Sequence, residues 1–116
     1  MTMTTLLDET QLATLRMLRN GQLLGGLIRT YRAQVQQQLP EMHAAIASND
    51  IAQVASIAHS MKSASFTLGA TQMGELSAAL ESAAMQRDVD QCINLIKSMN
   101  ESYNALLPEL VREEQT

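Results

Sequence analysis

The 116-residue sequence has no tryptophan, one phenylalanine, two tyrosines, two prolines and a single cysteine. One thiol, Cys92, cannot close an internal disulfide, and without a CxxC pair there is no thiol site for zinc or redox exchange. With aromatics at 3%, a core has to be built from Leu, Ile, Met, Val and Ala. Eight Lys and Arg stand against twelve Asp and Glu, a net charge of -4, and they form no basic run, so nucleic acid and anionic membranes are poorly matched as partners. No apolar stretch approaches the ~20 residues that span a bilayer. The opening MTMTTLLDET lacks the basic start and apolar run of a secretory leader. No glycine-rich nucleotide loop is present, so neither ATP binding nor self-phosphorylation is expected. These absences together point to a cytoplasmic, reducing setting.

What is there is periodic. Hydrophobic residues make up 46% of the chain, enough for one ordered domain. A short segment over 8–18 carries Leu12, Leu15 and Leu18 at intervals of three, and the RNG at 19–21 reads as a turn. Over 22–48, Leu24, Ile28, Tyr31, Val35, Leu39, Met42 and Ile46 mark one helix face. Pro40 lies inside this stripe, which keeps its phase across it, as a kink does and a break does not. Ser48 to Asp50 ends that helix and caps the next. Over 51–68 the stripe is Val54, Ile57, Met61, Ala64 and Leu68, with Gly69 placed for a left-handed cap. Thr71 is the expected cap of a helix over 71–86, with Met73, Leu76, Leu80 and Ala83 inward. Cys92, Ile96, Met99, Tyr103, Leu106 and Leu110 form the last stripe, over 89–112, which Pro108 is expected to interrupt near its end. No segment alternates with period two, and the loops are short. The reading is an all-α, antiparallel up-down four-helix bundle with a short extra N-terminal helix, all in one domain.

The chemistry gathers on the third bundle helix. At 100° per residue, His59 lies about 200° from both Ile57 and Met61, hence it points out of the core. Lys62 and Ser63 neighbour it at i+3 and i+4, Ala55 and Ser56 from the preceding turn. An outward imidazole beside an ammonium and small side chains suits phosphoryl transfer: the neutral ring nitrogen attacks phosphorus, the cation offsets charge on the equatorial oxygens, and the cleared surroundings admit a second protein. The lysine also disfavours the imidazolium form. His43 has no such neighbours and reads as a surface or boundary residue, Cys92 as a small buried hydrophobe. The two histidines show no metal-ligand spacing.

AHSMKSASFTLGA, from Ala58 to Ala70, resembles the signature of histidine-containing phosphotransfer (HPt) domains, the relay modules of multistep two-component phosphorelays. The match runs through Ala58, His59, Met61, Lys62, Ala64, Ser65, Leu68, Gly69 and Ala70, and departs at Ser63, where Gly is commoner, and at Phe66, where a smaller or polar residue is common. The resemblance implies a helical bundle covering nearly the whole chain and a phosphoryl group passed between receiver-domain aspartates through His59. It implies Lys62, assisted by Ser63, as the charge-stabilising group. It implies an acidic or amide side chain 22 positions after the histidine, here Glu81, holding the imidazole by its other nitrogen; the alternative is a solvated surface glutamate. Ser77, Ala78 and Ala84 around Glu81 are small.

Receiver domains dock in this family on the first helices and the histidine helix. That makes Leu12, Leu15, Leu23, Leu27, Ala55, Ser56 and Phe66 the candidate contact residues. The leucines divide between docking and packing the N-terminal helix, and Phe66 either extends the docking surface or tucks between helices. The domain itself needs no cofactor, with Mg²⁺ expected on the receiver. The expected partners are response-regulator receivers and a hybrid sensor kinase, the expected state a monomer, and no small-molecule turnover is expected. Two other readings remain open at this point: a helical docking module that is never phosphorylated, and a substrate domain phosphorylated directly from ATP by a histidine kinase.

Overall fold

The computed structural model describes residues 6–18 and 22–115; the first five residues and the turn expected over 19–21 lie outside the described residues. Five helices follow one another, α1 (Glu9–Met17), α2 (Gln22–Ala47), α3 (Ile51–Leu68), α4 (Thr71–Met85) and α5 (Val89–Glu114), and no strand occurs among the described residues. α2 packs on α3, α3 on α4, α4 on α5, and α5 back on α2, which closes a four-helix ring; α1 lies against α2. At 1.5 Å per residue the 26 residues of α2 or α5 reach about 39 Å, most of the 44 Å long axis.

The stripes expected on α2 and α5 are buried apart from Ile46, which is only partly so, and Gly25, Ala45 and Ser102 are buried beside them. On α3 and α4 the inward face is shifted. Ala64 and Leu76 are only partly buried, while Ala58, Ser65, Gly74, Ser77 and Ala84 are buried. The two buried serines of α3 and α4 are satisfied: Ser65 Oγ pairs with the Tyr31 hydroxyl at 2.8 Å, and Ser77 Oγ donates to the carbonyl of Met73 at 2.7 Å. Burial pushes the Tyr31 hydroxyl up to about 12, against the opposing hydrogen bond from Ser65. Small residues on α3 and α4 let this pair of helices approach closely.

Three turns between the bundle helices follow one plan. A single left-handed residue ends each helix and the next residue caps its successor: Asn49 (φ 59) then Asp50, Gly69 (φ 88) then Ala70, Arg87 (φ 58) then Asp88. Asp50 and Asp88 accept from the backbone amides of Gln53 and Gln91. Thr71, expected as a cap, is instead the first helical residue of α4, with Ala70 before it and no side-chain cap. The amide of Ala70 donates to the carbonyl of Ser65 at 2.8 Å, so the chain is still tied to α3 at that point. Neither proline ends a helix. Pro40 and Pro108 both sit on exposed positions, where the lost backbone bond faces water, and α5 continues past Pro108 to Glu114.

α1 is fastened to the C-terminal end of α3. The Asp8 amide donates to the carbonyl of Gly69 at 2.7 Å, and Gln11 Nε2 to that of Thr67 at 2.9 Å. A β-carbon at Gly69 would lie 3.2 Å from Gln11, so glycine is wanted there for space as well as for its φ. Leu12 and Leu15 are 1% and 8% exposed, whereas Leu18 is 46% exposed and leaves the expected stripe. Arg16 clasps the other side, pairing with Glu9 and with Glu113 of α5, each at 2.6 Å.

Candidate functional site

α3 and α4 are antiparallel about the Gly69–Ala70 turn, and this fixes which residues meet. His59 lies eleven positions before Ala70 (70 minus 59) and Glu81 eleven after it (81 minus 70), so the two stand at the same height on neighbouring helices. His59 Nδ1 is 2.8 Å from Oε2 of Glu81, and the imidazole is 63% exposed. The other carboxylate oxygen, Oε1, accepts from Nζ of Lys62 at 2.7 Å. Glu81 is itself only 20% exposed. It is held below the ordinary carboxyl range, chiefly by the Lys62 hydrogen bond, which outweighs the opposing desolvation, with the His59 hydrogen bond adding less. An ionised carboxylate only accepts, so the proton of the neutral ring belongs on Nδ1. Nε2 is left with a lone pair on a largely exposed ring. The cluster offers a nitrogen nucleophile in a fixed tautomer with an ammonium one helical turn away.

The surroundings are small but not in every place expected. Ser63 and Ser56 are exposed, and Ala55, Ser60 and Ala64 half-buried. Ser60 Oγ accepts from Gln34 Nε2 of α2 at 3.0 Å. Ser65 faces the core, as do Ser77 and Ala84 near Glu81; Ala78 alone of those three borders the surface. Leu23 and Leu27 are half-buried. Leu27 lines a cleft of about 190 Å³ between α2 and α3, with Thr30, Tyr31 and Gln34 on one wall and Ser63, Ala64 and Thr67 on the other.

Leu12 and Leu15 add nothing to an exposed patch; they are consumed in packing α1, which is a correction to their candidacy as contact residues. Phe66 is only partly tucked between the helices: its ring lies over Gly74 of α4 while the residue stays 45% exposed.

The Lys62–Glu81 ion pair has no signature in the sequence, because helix period says which face a residue occupies and not which residue of a neighbouring helix it meets. Gln34 was missed for the same reason. His43, on the exposed side of α2, has Nε2 2.9 Å from Nδ2 of Asn100. Cys92 is fully buried, and desolvation, with Asp88 nearby, raises its thiol. Among the described residues no three His, Cys, Asp or Glu stand together as metal ligands, and no helix is long and apolar enough to cross a membrane.

Comparison with known proteins gives the geometry a family. A model of the Hpt domain matches residues 26–111, from the second turn of α2 to the last turns of α5. No curated protein matches the chain. Among solved structures, the chain is similar to histidine-containing phosphotransfer protein B from Pseudomonas aeruginosa PAO1, with a TM-score of 0.88 and 25% sequence identity over 94% of each chain. The matched segment contains His59, Lys62 and Glu81 and all four bundle helices' cores, and the chain belongs to the Hpt domain family, the histidine phosphotransfer proteins that work with response regulators and histidine kinases in phosphorelays.

Proposed function

We propose that His59 is the phosphoryl-carrying residue. Its Nε2 takes the group from an aspartyl phosphate on one receiver domain and gives it to an aspartate on another. The observation that carries this reading is the exposed imidazole whose Nδ1 is held by Glu81 at 2.8 Å, which leaves Nε2 both free and unprotonated. Lys62 stabilises charge on the phosphoryl oxygens, and Ser63 keeps the approach open. Glu81 orients the ring. The receivers dock across α2 and α3 beside the site, where Leu23, Leu27, Ala55, Ser56 and Phe66 offer apolar or small contacts.

The chain acts as a carrier and turns over no small molecule. The divalent ion of the reaction, Mg²⁺, belongs to the receiver. A cytoplasmic monomer, with no nucleic acid or membrane partner, fits the acidic charge balance. The test is transfer from a phosphorylated receiver with Mg²⁺. Label on the protein should be acid-labile and alkali-stable, lost in His59→Gln and kept in His43→Gln. Label persisting in His59→Gln would overturn the assignment.

A further inference from the structure

Glu81 spends both carboxylate oxygens, Oε2 on His59 Nδ1 and Oε1 on Lys62 Nζ, at 2.8 and 2.7 Å. The ammonium that is to meet the phosphoryl oxygens is therefore already engaged by a carboxylate. From this shared carboxylate we infer that Lys62 changes partner during the reaction: it compensates Glu81 while His59 is unmodified and moves to the phosphoryl oxygens once His59 carries them, leaving Glu81 as an uncompensated carboxylate that holds the proton on Nδ1. The inference rests on the phosphotransfer reading of His59 and adds to it a two-position role for Lys62.

The electron count shows why both positions are needed. In the accepting step the Nε2 lone pair forms the N–P bond, the P–O bond to the donor aspartate breaks, and its electron pair goes to the aspartate carboxylate. Nδ1 keeps its hydrogen, so the phosphorylated ring is cationic. In the donating step an oxygen of the next aspartate forms the new P–O bond, the N–P bond breaks, and its pair returns to Nε2. The ring departs as neutral imidazole. No proton enters or leaves in either direction, provided Nδ1 stays protonated. If that proton were lost, the leaving group would be imidazolate, a far poorer one.

The two states make opposite demands on the charge around the ring. Before transfer, an uncompensated carboxylate would favour imidazolium, which has no lone pair on Nε2; the ammonium on Glu81 opposes this. After transfer, the cationic ring is stabilised by a nearby negative charge, and departure of the ammonium supplies one. The lysine stem is flexible, and the side chain lies one turn from His59, within reach of both positions. The charged groups of this cluster are Lys62 on α3 and Glu81 on α4; α2 contributes the uncharged Gln34, through Ser60.

The test follows the His59 ring by ¹⁵N NMR against pH, in the intact protein before and after treatment with phosphoramidate, a small donor that phosphorylates imidazole without a receiver. Wild type is compared with Glu81→Gln, which keeps an acceptor oxygen but no charge. The same comparison is repeated in a Lys62→Met background. With Lys62 present, Glu81→Gln should lower the ring's titration midpoint by about one pH unit more in the phosphorylated protein than in the unmodified one, a tenfold difference in proton affinity. In Lys62→Met the effect of Glu81→Gln should be the same in both states. Equal effects in both states with Lys62 present would overturn the partner exchange while leaving phosphohistidine at His59 intact. Phosphorylation elsewhere than His59 would overturn the phosphotransfer reading and the exchange together.

Discussion

The ring of Phe66 on α3 occupies the space that a side chain at Gly74 on α4 would take: a β-carbon built there would lie 2.7 to 2.8 Å from three of its ring atoms. Glycine inside a helix costs about 1 kcal/mol relative to alanine, so the small residue at 74 is disfavoured unless something needs the room. The ring has solvent on its other side, Phe66 being 45% exposed, and it can swing away. In wild type, Gly74→Ala should change stability little, since the helix gain is offset by the lost ring contact. In a Phe66→Ala background the same substitution should stabilise by about 0.5–1 kcal/mol. Urea unfolding of the four variants measures this coupling, and additive effects would show that the ring does not depend on the glycine.

Leu12 and Leu27 differ in what they do: one packs α1, the other lines the α2–α3 cleft. Leu12 is 1% exposed, and truncating a buried leucine costs about 2–5 kcal/mol. Leu12→Ala should lower the melting temperature clearly and, at temperatures where the variant is folded, leave receiver-dependent transfer near the wild-type rate. Leu27 is half-buried on the wall of the α2–α3 cleft. Leu27→Ala should cost less stability and weaken transfer through a higher receiver concentration at half-maximal rate. The opposite pattern would mean that α1 lifts away and that Leu12 meets the partner.

The outward direction of His59 was legible because it needs only the helical period and the buried neighbours Ile57 and Met61. The stripes of α2 and α5 were legible for the same reason: long helices with one large-residue face leave little choice of orientation. α3 and α4 were harder. Their small residues, Ala58, Ser65, Ser77 and Ala84, fit either a close helix contact or a cleared surface, and composition does not say which. Leu12 and Leu15 had the same ambiguity, since a short helix buries or presents its leucines according to where it docks. That depends on the Gly69 and Thr67 carbonyls it meets far along the chain. Glu81 came into view through the family's spacing of 22 residues, and the symmetric distance of His59 and Glu81 from the Gly69–Ala70 turn is the physical reason that spacing works.

Lys62 and Ser63 separate chemistry from docking. Lys62 is 30% exposed, and an ion pair of that kind contributes about 0–1 kcal/mol, so Lys62→Ala should fold normally. Losing one charge-stabilising group should slow transfer by a factor equivalent to about 1–4 kcal/mol. Ser63→Arg places bulk beside the nucleophile: it should nearly abolish transfer from a receiver while phosphoramidate still labels His59. Ser63→Gly should transfer well, at a helix cost of roughly 1 kcal/mol or less. Stopped-flow or gel-based transfer with both donors distinguishes these outcomes. Wild-type receiver transfer in Ser63→Arg would refute the open landing site.

Glu81 also ties the site to pH. Its carboxyl sits below the ordinary value of 4.5, chiefly because of Lys62, so the folded protein binds fewer protons there than the unfolded chain. Stability then rises with pH across the interval between the folded and unfolded values. The contribution is complete above about 4.5 and is lost as pH falls through the lower, folded value. A ¹³C titration of the Glu81 side chain should give a midpoint below 4.5 in wild type and a higher one in Lys62→Ala, where the largest stabilising contact of the carboxylate is gone. The same acidification should loosen His59, because a protonated carboxyl accepts less strongly from Nδ1. In Glu81→Ala the ring should show a mixture of tautomers at neutral pH and slower transfer. Glu81→Gln should be milder, because its amide oxygen still accepts. An unchanged tautomer ratio in Glu81→Ala would show that packing alone orients the ring, and that the 2.8 Å contact between Glu81 and His59 does not govern the nucleophile.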